Sequence, residues 1–146
     1  MLGDANAVTY RPLTAQQRFT ALQSGEIDVL IRNTTFTSSR DGREGATFLT
    51  TTFYDGQGMM VPASTGFTTL EDLEGANICV LSGTTTELNL ADFFRANNIS
   101  YEPVPIETNA EAQQQYLAGA CDVYTTDASG LAATRATFED PSAHVV

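Results

Sequence analysis

The stretch Ile78-Cys79-Val80-Leu81-Ser82-Gly83-Thr84-Thr85-Thr86-Glu87 carries the fold reading. A short apolar strand breaks at Gly83 and runs directly into a helix. Thr84 and Glu87 have the capping-box spacing: Thr84 accepts from the Glu87 N–H, and the Glu87 carboxylate reaches back to the Thr84 N–H. The N–H groups of Thr85 and Thr86 then point outward at the positive end of a helix dipole, a place that favours a small anion. Hydroxyls of Ser82, Thr84, Thr85 and Thr86 add further contacts. An ordinary capped strand-to-helix turn has the same pattern, so the rest of the chain must separate the two readings.

Composition narrows the classes. The 146 residues suffice for one domain or two small lobes with a real core. A hydrophobic share of 42% with 17% charged residues is that of a globular chain. No apolar run reaches the length of a membrane span, so no transmembrane segment is expected. The net charge of −11 argues against nucleic acid and against anionic lipid. Lysine is absent, and the basic residues are Arg11, Arg18, Arg32, Arg40, Arg43, Arg95 and Arg135. That excludes a phosphate loop of the GK[ST] type and Schiff-base chemistry, and leaves arginine as the bidentate partner for a carboxylate. Cys79, Cys121 and the sole histidine, His144, make a poor zinc set, so no metal or cofactor is expected. The cysteines form one disulfide if the protein is exported, or are two buried thiols if it is not. Met1-Leu2-Gly3-Asp4 lacks the charged and apolar regions of a signal peptide.

Along the chain, Val8–Tyr10 reads as a short strand. Thr14 and Gln17 form a second capping box, opening a helix with Phe19 and Leu22 on its apolar side and Gly25 as its stop. Ile27–Ile31 reads as a buried strand, followed by a polar stretch from Arg32 to Arg43. Phe53–Val61 reads as a crossover between lobes and a new strand, Pro62–Thr68 as a loop and Thr69–Gly75 as a short helix. Thr108 and Glu111 make a third capping box; their helix carries Ala112, Tyr116 and Leu117 and stops near Gly119, before a strand at residues 122–126. Gly25-Glu26-Ile27-Asp28-Val29 and Gly119-Ala120-Cys121-Asp122-Val123 share a G-x-x-D-V core, each after an amphipathic helix. Helix–Gly–strand is a common α/β joint, so the repeat is weak by itself, but it suggests two similar lobes.

Three polar clusters, Arg32–Arg40, Ser82–Thr86 and Thr125–Ser129, thus fall at strand C-terminal ends, where open α/β sheets bind ligands. Arg40 and the Thr85 amide suit a carboxylate, and Asp127 suits an ammonium. An α-amino acid carries both groups on one carbon. Each element also has a plain reading: Arg40 as a surface arginine, Asp127 as the cap of the next helix. Catalytic signals are thin. There is no G-x-S-x-G elbow, no serine pairs convincingly with His144, and nothing in the sequence brings Asp55 to Asp127 as an acid–base pair. Cys79 inside an apolar strand reads as inert or disulfide-bonded.

Several segments together resemble the periplasmic amino-acid-binding proteins of ABC transporters, within them the broad-specificity L-amino-acid binders. They are Leu22-Gln-Ser-Gly-Glu-Ile-Asp-Val-Leu, Arg32-Asn-Thr-Thr-Phe-Thr, Tyr54-Asp-Gly-Gln-Gly, Ser82-Gly-Thr-Thr-Thr-Glu-Leu-Asn-Leu-Ala-Asp-Phe-Phe-Arg-Ala-Asn and Cys121-Asp-Val-Tyr-Thr-Thr-Asp-Ala-Ser-Gly-Leu-Ala. The resemblance implies an α/β type II periplasmic-binding fold with three-layer α/β/α lobes. It places a partial first lobe at residues 1–53 and a nearly complete second lobe at 54–146. It implies that Arg40, helped by Thr35 and the backbone near Asn33, clamps the ligand α-carboxylate. The amide and hydroxyl of Thr85, with Thr84 or Thr86, bind the same carboxylate from the second lobe, and Asp127 takes the α-ammonium. Arg32 stands where related proteins place a small residue. The resemblance favours a Cys79–Cys121 disulfide, with residues 77–81 and 122–126 as neighbouring parallel strands.

The expected function is capture of a free L-amino acid between two lobes for an ABC transporter permease in the periplasm, with no catalysis. The same fold also hosts small-acid dehydratases and amino-acid-sensing domains of receptors, which are the alternatives. Compared with the family pattern, the chain reads as a fragment, lacking an initial strand and helix and a return crossover. Exposed apolar surface on the first lobe, and with it a dimer or an assembly that swaps elements, is therefore expected.

Overall fold

A computed structural model describes residues 3–146; Met1 and Leu2, half of the N-terminal tetrapeptide read for a signal peptide, lie outside them. The chain divides into two compact units, Met1–Leu49 and Thr50–Val146.

The first unit is built on helices. Helix α1 (Gln17–Gln23) is opened by the expected reciprocal pair, with the Gln17 N–H donating to Thr14 Oγ1 at 3.3 Å and the Thr14 N–H donating to Gln17 Oε1 at 3.1 Å. It buries Arg18, Phe19 and Ala21 and ends before Gly25, whose φ of +73° is a left-handed conformation. Helix α2 (Ser38–Gly42) is a five-residue turn capped by the Thr37 hydroxyl, which accepts from the Arg40 N–H at 3.1 Å. The two strands expected here, at Val8–Tyr10 and Ile27–Ile31, do not form. Val29 is 60% exposed and Ile31 is 89% exposed. A strand exists only against a neighbour, and among the described residues every strand belongs to the second unit. The Arg32–Arg40 cluster therefore does not sit at a strand end; its last residues are those of α2.

The second unit contains a five-stranded mixed sheet in the order β3-β2-β4-β1-β5. Its strands are β1 (Gln57–Pro62), β2 (Asn77–Leu81), β3 (Glu102–Ile106), β4 (Val123–Asp127) and β5 (His144–Val145). Strands β2, β3 and β4 are parallel, with Val80 opposite Thr125, and β1 pairs antiparallel with both β4 and β5. Three helices flank the sheet: α3 (Thr85–Asn97), α4 (Asn109–Leu117) and α5 (Ala128–Arg135).

Strand alternation makes two cores. Ile78 and Val80 of β2 pack with Val61, Val123 and the α3 residues Leu90 and Phe94. Cys79 and Leu81 pack on the other side with Met60, Tyr124, Ala112 and Tyr116 of α4 and Leu131 of α5. Helix α3 thus covers one face while α4 and α5 cover the other, a three-layer α/β/α lobe. Gly58 of β1 lies where a Cβ would come within 2.9 Å of Leu131 Cδ1 and 3.3 Å of Ala128 Cα, so a side chain at this position would push α5 off the sheet.

Three local expectations change. Thr69–Gly75 holds only a 3-10 turn, Glu71–Leu73, anchored by Asp72 accepting from the Thr68 and Thr69 amides. Strand β3 contains Pro103 and Pro105, which argue against a strand in sequence. It is an edge strand, and the Glu102 N–H and Ile106 carbonyl bond toward β2. The alternate positions 103 and 105 then face the open edge, where a missing N–H costs nothing. Strand β5 at the opposite edge has two residues and no sequence signature.

Candidate functional site

The chain leaves β2 through α3 toward β3 at one side, then returns through α4 to β4 at the other side of β2. The carboxyl ends of β2 and β4 therefore flank a topological switch point, the place where open α/β sheets hold ligands. Thr84–Thr86 follow β2, and Asp127 is the last residue of β4.

The turn between β2 and α3 needs a left-handed residue, and Gly83 supplies it with φ +74°. Thr84 is the N-cap, its Oγ1 accepting from the Glu87 N–H at 3.2 Å. The Glu87 carboxylate reaches one residue further back than expected, to the Gly83 N–H at 2.8 Å. Thr84 Oγ1 also donates to the Leu81 carbonyl at 2.6 Å and lies 2.7 Å from Thr86 Oγ1. Its single proton is spent on Leu81, so the Thr86 hydroxyl is the donor between them. Thr84 Oγ1, with one bond donated and two accepted, is saturated; Thr86 is 4% exposed. Thr85, between them in sequence, is half-buried.

Sequence reasoning missed Gln57. Its Nε2 donates to the Thr86 carbonyl at 3.2 Å and to Thr125 Oγ1 at 3.0 Å, while Thr125 Oγ1 donates to the Gly58 carbonyl at 2.8 Å. Both atoms facing the amide are acceptors, which fixes its orientation. Gln57 stands directly opposite Asp127 in the β1–β4 register, so the two side chains leave the same face as Thr125 and α3. The only sequence trace of this was its place in Tyr54-Asp-Gly-Gln-Gly.

Asp127 occupies the N-cap position of α5, yet its side chain makes no capping hydrogen bond, against the plain reading. Asp55 does the capping. Its Oδ1 accepts from the Gly56 N–H at 2.8 Å and the Ser129 N–H at 3.3 Å, and its Oδ2 accepts from the Ser129 hydroxyl. These bonds, led by the Ser129 hydroxyl, hold the Asp55 carboxyl below its ordinary pKa. Next to Asp127, burial and then the Asp127 charge push the Tyr124 phenol up to about 12; its hydroxyl donates to Asn109 Oδ1 at 2.9 Å.

In the first unit, Arg40 is 5% exposed, unlike an ordinary surface arginine. Its Nη1 donates to the Thr35 carbonyl at 2.9 Å, and its guanidinium lies 5.1 Å from the Phe19 ring centroid. Arg18, 2% exposed, approaches the same ring at 5.2 Å. Burial lowers the pKa of Arg40, and the charge of Glu44 opposes that shift. Asn33 is exposed, with its Oδ1 accepting from Arg32 Nε at 3.3 Å, while Arg32 Nη1 donates to the Leu13 carbonyl at 3.0 Å. Arg32 is thereby a brace within its own unit.

Cys79 and Cys121 form a disulfide, with Cα atoms 5.6 Å apart and both residues buried. Parallel pairing of β2 with β4 brings them together. Among the described residues no group of three or more potential ligands could hold a metal ion, and no helix is long and apolar enough to cross a membrane.

No family model matches the chain. Over all 146 residues it is 56% identical to the glutamate/glutamine/aspartate/asparagine-binding protein BztA of Rhodobacter capsulatus and 53% identical to the general L-amino acid-binding periplasmic protein AapJ of Rhizobium johnstonii. It spans 43% of the length of each. Among solved structures, an ABC transporter periplasmic binding protein from Brucella ovis with glutathione bound superposes with a TM-score of 0.89 at 51% identity. That likeness covers 99% of this chain and 46% of the other. The architecture is that of type II periplasmic binding proteins, and over all of its residues the chain is similar to amino-acid-binding proteins of ABC transporters.

Proposed function

We propose that the chain is part of a solute-binding protein that captures an α-amino acid and delivers it to the membrane permease of an ABC transporter. In the second unit, the amide and hydroxyl of Thr85 at the α3 N-terminus, with the Thr84 and Thr86 backbone, receive the α-carboxylate. Asp127 receives the α-ammonium. In the first unit, Arg40, with Thr35 and the backbone near Asn33, is a second carboxylate clamp, and burial strengthens its charge-assisted hydrogen bonds. The units 1–49 and 50–146 correspond in this reading to a partial first lobe and a second lobe.

The observation that carries the proposal is the adjacency of α3's N-terminus and Asp127 at the ends of the paired strands β2 and β4. An anion site and a carboxylate one strand spacing apart, about 5 Å, match the two charged groups of one amino acid. Similarity to BztA and AapJ over all 146 residues of this chain, 43% of the length of each relative, supports the same chemistry. A periplasmic location fits a buried disulfide, since such bonds persist in oxidising compartments. The reading is of binding without turnover: in this set Asp127 is an ion partner, and Asp55 is committed to α5.

Calorimetry of the gene product that carries this chain, against a panel of L-amino acids, tests the proposal. Heat with at least one of them, lost in Arg40→Ala and in Asp127→Asn, is expected. No heat with any of them, or affinities untouched by both substitutions, would refute it.

A further inference from the structure

The capping bonds at the start of α3 are local. Thr84 Oγ1 accepts from the Glu87 N–H and donates to the Leu81 carbonyl, and the Glu87 carboxylate accepts from the Gly83 N–H. These bonds fold residues 81–87 into a turn, but none of them reaches a neighbouring strand. The turn joins β2 through Gly83, whose φ of +74° suits glycine alone. Further along, Leu90 and Phe94 hold the body of the helix in the core. Between the cap and that anchor, the Gln57 amide brings a bond from another element. Its Nε2 donates to the Thr86 carbonyl at 3.2 Å and to Thr125 Oγ1 at 3.0 Å, so a residue of β1 links the first turn of α3 to β4.

Strand order explains the reach. Strand β4 lies between β1 and β2, and a side chain from β1 must cross β4 above Thr125 to meet the helix that leaves β2. The tie is also directional and sheltered. Thr125 is fully buried, and its hydroxyl donates to the Gly58 carbonyl at 2.8 Å, so toward Gln57 it can only accept. Both hydrogens of the amide thus meet fixed acceptors. Methionine at position 57 would keep the length of the side chain and lose both donors.

We propose that Gln57 is a positioning residue of the ligand site: its amide fixes the N-terminal turn of α3 against β4 and so places the N–H groups that receive the ligand α-carboxylate. The inference rests on the reading of the α3 N-terminus given above, and Gln57 acts on the ligand only through that helix. Without the amide, the turn keeps its local cap but gains play at Gly83. The ligand must then pay the ordering of the turn out of its own binding energy.

Amide hydrogen exchange of the gene product that carries this chain, without ligand, tests the tie alone. In Gln57→Met the Glu87 amide should exchange about fivefold faster, the effect of one lost neutral hydrogen bond, while residues 90–94 keep their wild-type rates. Unchanged exchange at Glu87, or the same acceleration along the whole of α3, would overturn the inference. Calorimetry with L-glutamine and its α-methyl ester as probes reads the consequence. The preference for the acid over the ester should fall about fivefold to tenfold in Gln57→Met. A residue that supports only the fold weakens both ligands alike, so an unchanged ratio would also overturn the inference. Thr125→Val removes one of the two acceptors; it should reproduce part of that fall and add nothing in a Gln57→Met background. An unchanged ratio in Thr125→Val, or a further fall in the double variant, would count against the tie. Equal wild-type affinity for acid and ester refutes the carboxylate reading instead, and the exchange rates still decide whether Gln57 holds the turn.

Discussion

Breaking the Cys79–Cys121 bridge is the perturbation whose size follows most directly from the structure. The bridge joins positions 42 apart in sequence and closes a loop containing α3, β3 and α4. In the chain-entropy account, cross-linking such a loop removes about 4 kcal/mol of unfolded-state freedom at 25 °C. For a unit of roughly 100 residues, each kcal/mol moves Tm by about 4–8 °C, so reduction should lower the melting point by about 16–32 °C. Both sulfurs lie in the core beneath α4, and reduction leaves their volume in place, so the native packing changes little. The chain has no tryptophan, so denaturation is best followed by far-ultraviolet circular dichroism and tyrosine emission, with and without a phosphine reductant. A Cys79→Ala/Cys121→Ala double variant should unfold still more easily, because it adds cavities. Coincident oxidised and reduced transitions, with free thiols confirmed by titration, would refute the loop argument.

Other consequences are equally concrete. Gly58→Ala should destabilise by about 1–3 kcal/mol, because its Cβ would meet Leu131 at 2.9 Å and the Ala128 backbone at 3.3 Å; an unchanged denaturation midpoint would show that α5 yields freely. Tyr116 and Tyr124 have phenols pushed up to about 12, chiefly by burial, from an ordinary 10. Their raised folded pKa values contribute stability that is full below about pH 10 and is lost as pH rises through about 12. Ionisation of these two phenols, read by absorbance as the difference between the wild type and its Tyr116→Phe and Tyr124→Phe variants, should therefore coincide with alkaline unfolding, and their titrating near 10 in a folded chain would contradict this. The exposed Val29, Ile31, Tyr10 and Leu49 of the first unit predict self-association; light scattering at rising concentration should show masses above 15.7 kDa, and a concentration-independent monomer would count against it.

Much of the second unit was legible because its signals are local. Four-residue capping boxes placed the starts of α3 and α4, as one did for α1 in the first unit, and the apolar run at residues 78–81 placed β2. Strand β3 was hidden because its prolines are harmless only at an edge, and edge position is a property of the whole sheet. The opposite error fell on Ile27–Ile31, which has a strand's composition and no strand beside it. At the site, Thr84 and its box could be read directly, although Glu87 chose Gly83 over Thr84. Gln57 and Asp55 could not. Their roles depend on the β1–β4 register, which joins residues about 70 positions apart, and no local pattern encodes that. The burial of Arg40 was likewise invisible, since an arginine beside α2 reads as surface until Phe19 is placed against it.

The central claim is that one ligand carries both a carboxylate and an ammonium, the first received by the α3 N-terminus and by Arg40, the second by Asp127. Calorimetry of the gene product carrying this chain with L-glutamine, with its α-keto analogue and with its α-methyl ester tests that claim most directly. Removing either charged group should weaken binding at least about a hundredfold, the effect of about 3 kcal/mol from one lost charge-assisted contact. The keto analogue should also become indifferent to Asp127→Asn while still responding to Arg40→Ala. Equal affinity for L-glutamine and its keto analogue would contradict the assignment of Asp127 and, with it, the reading of this site as one for amino acids.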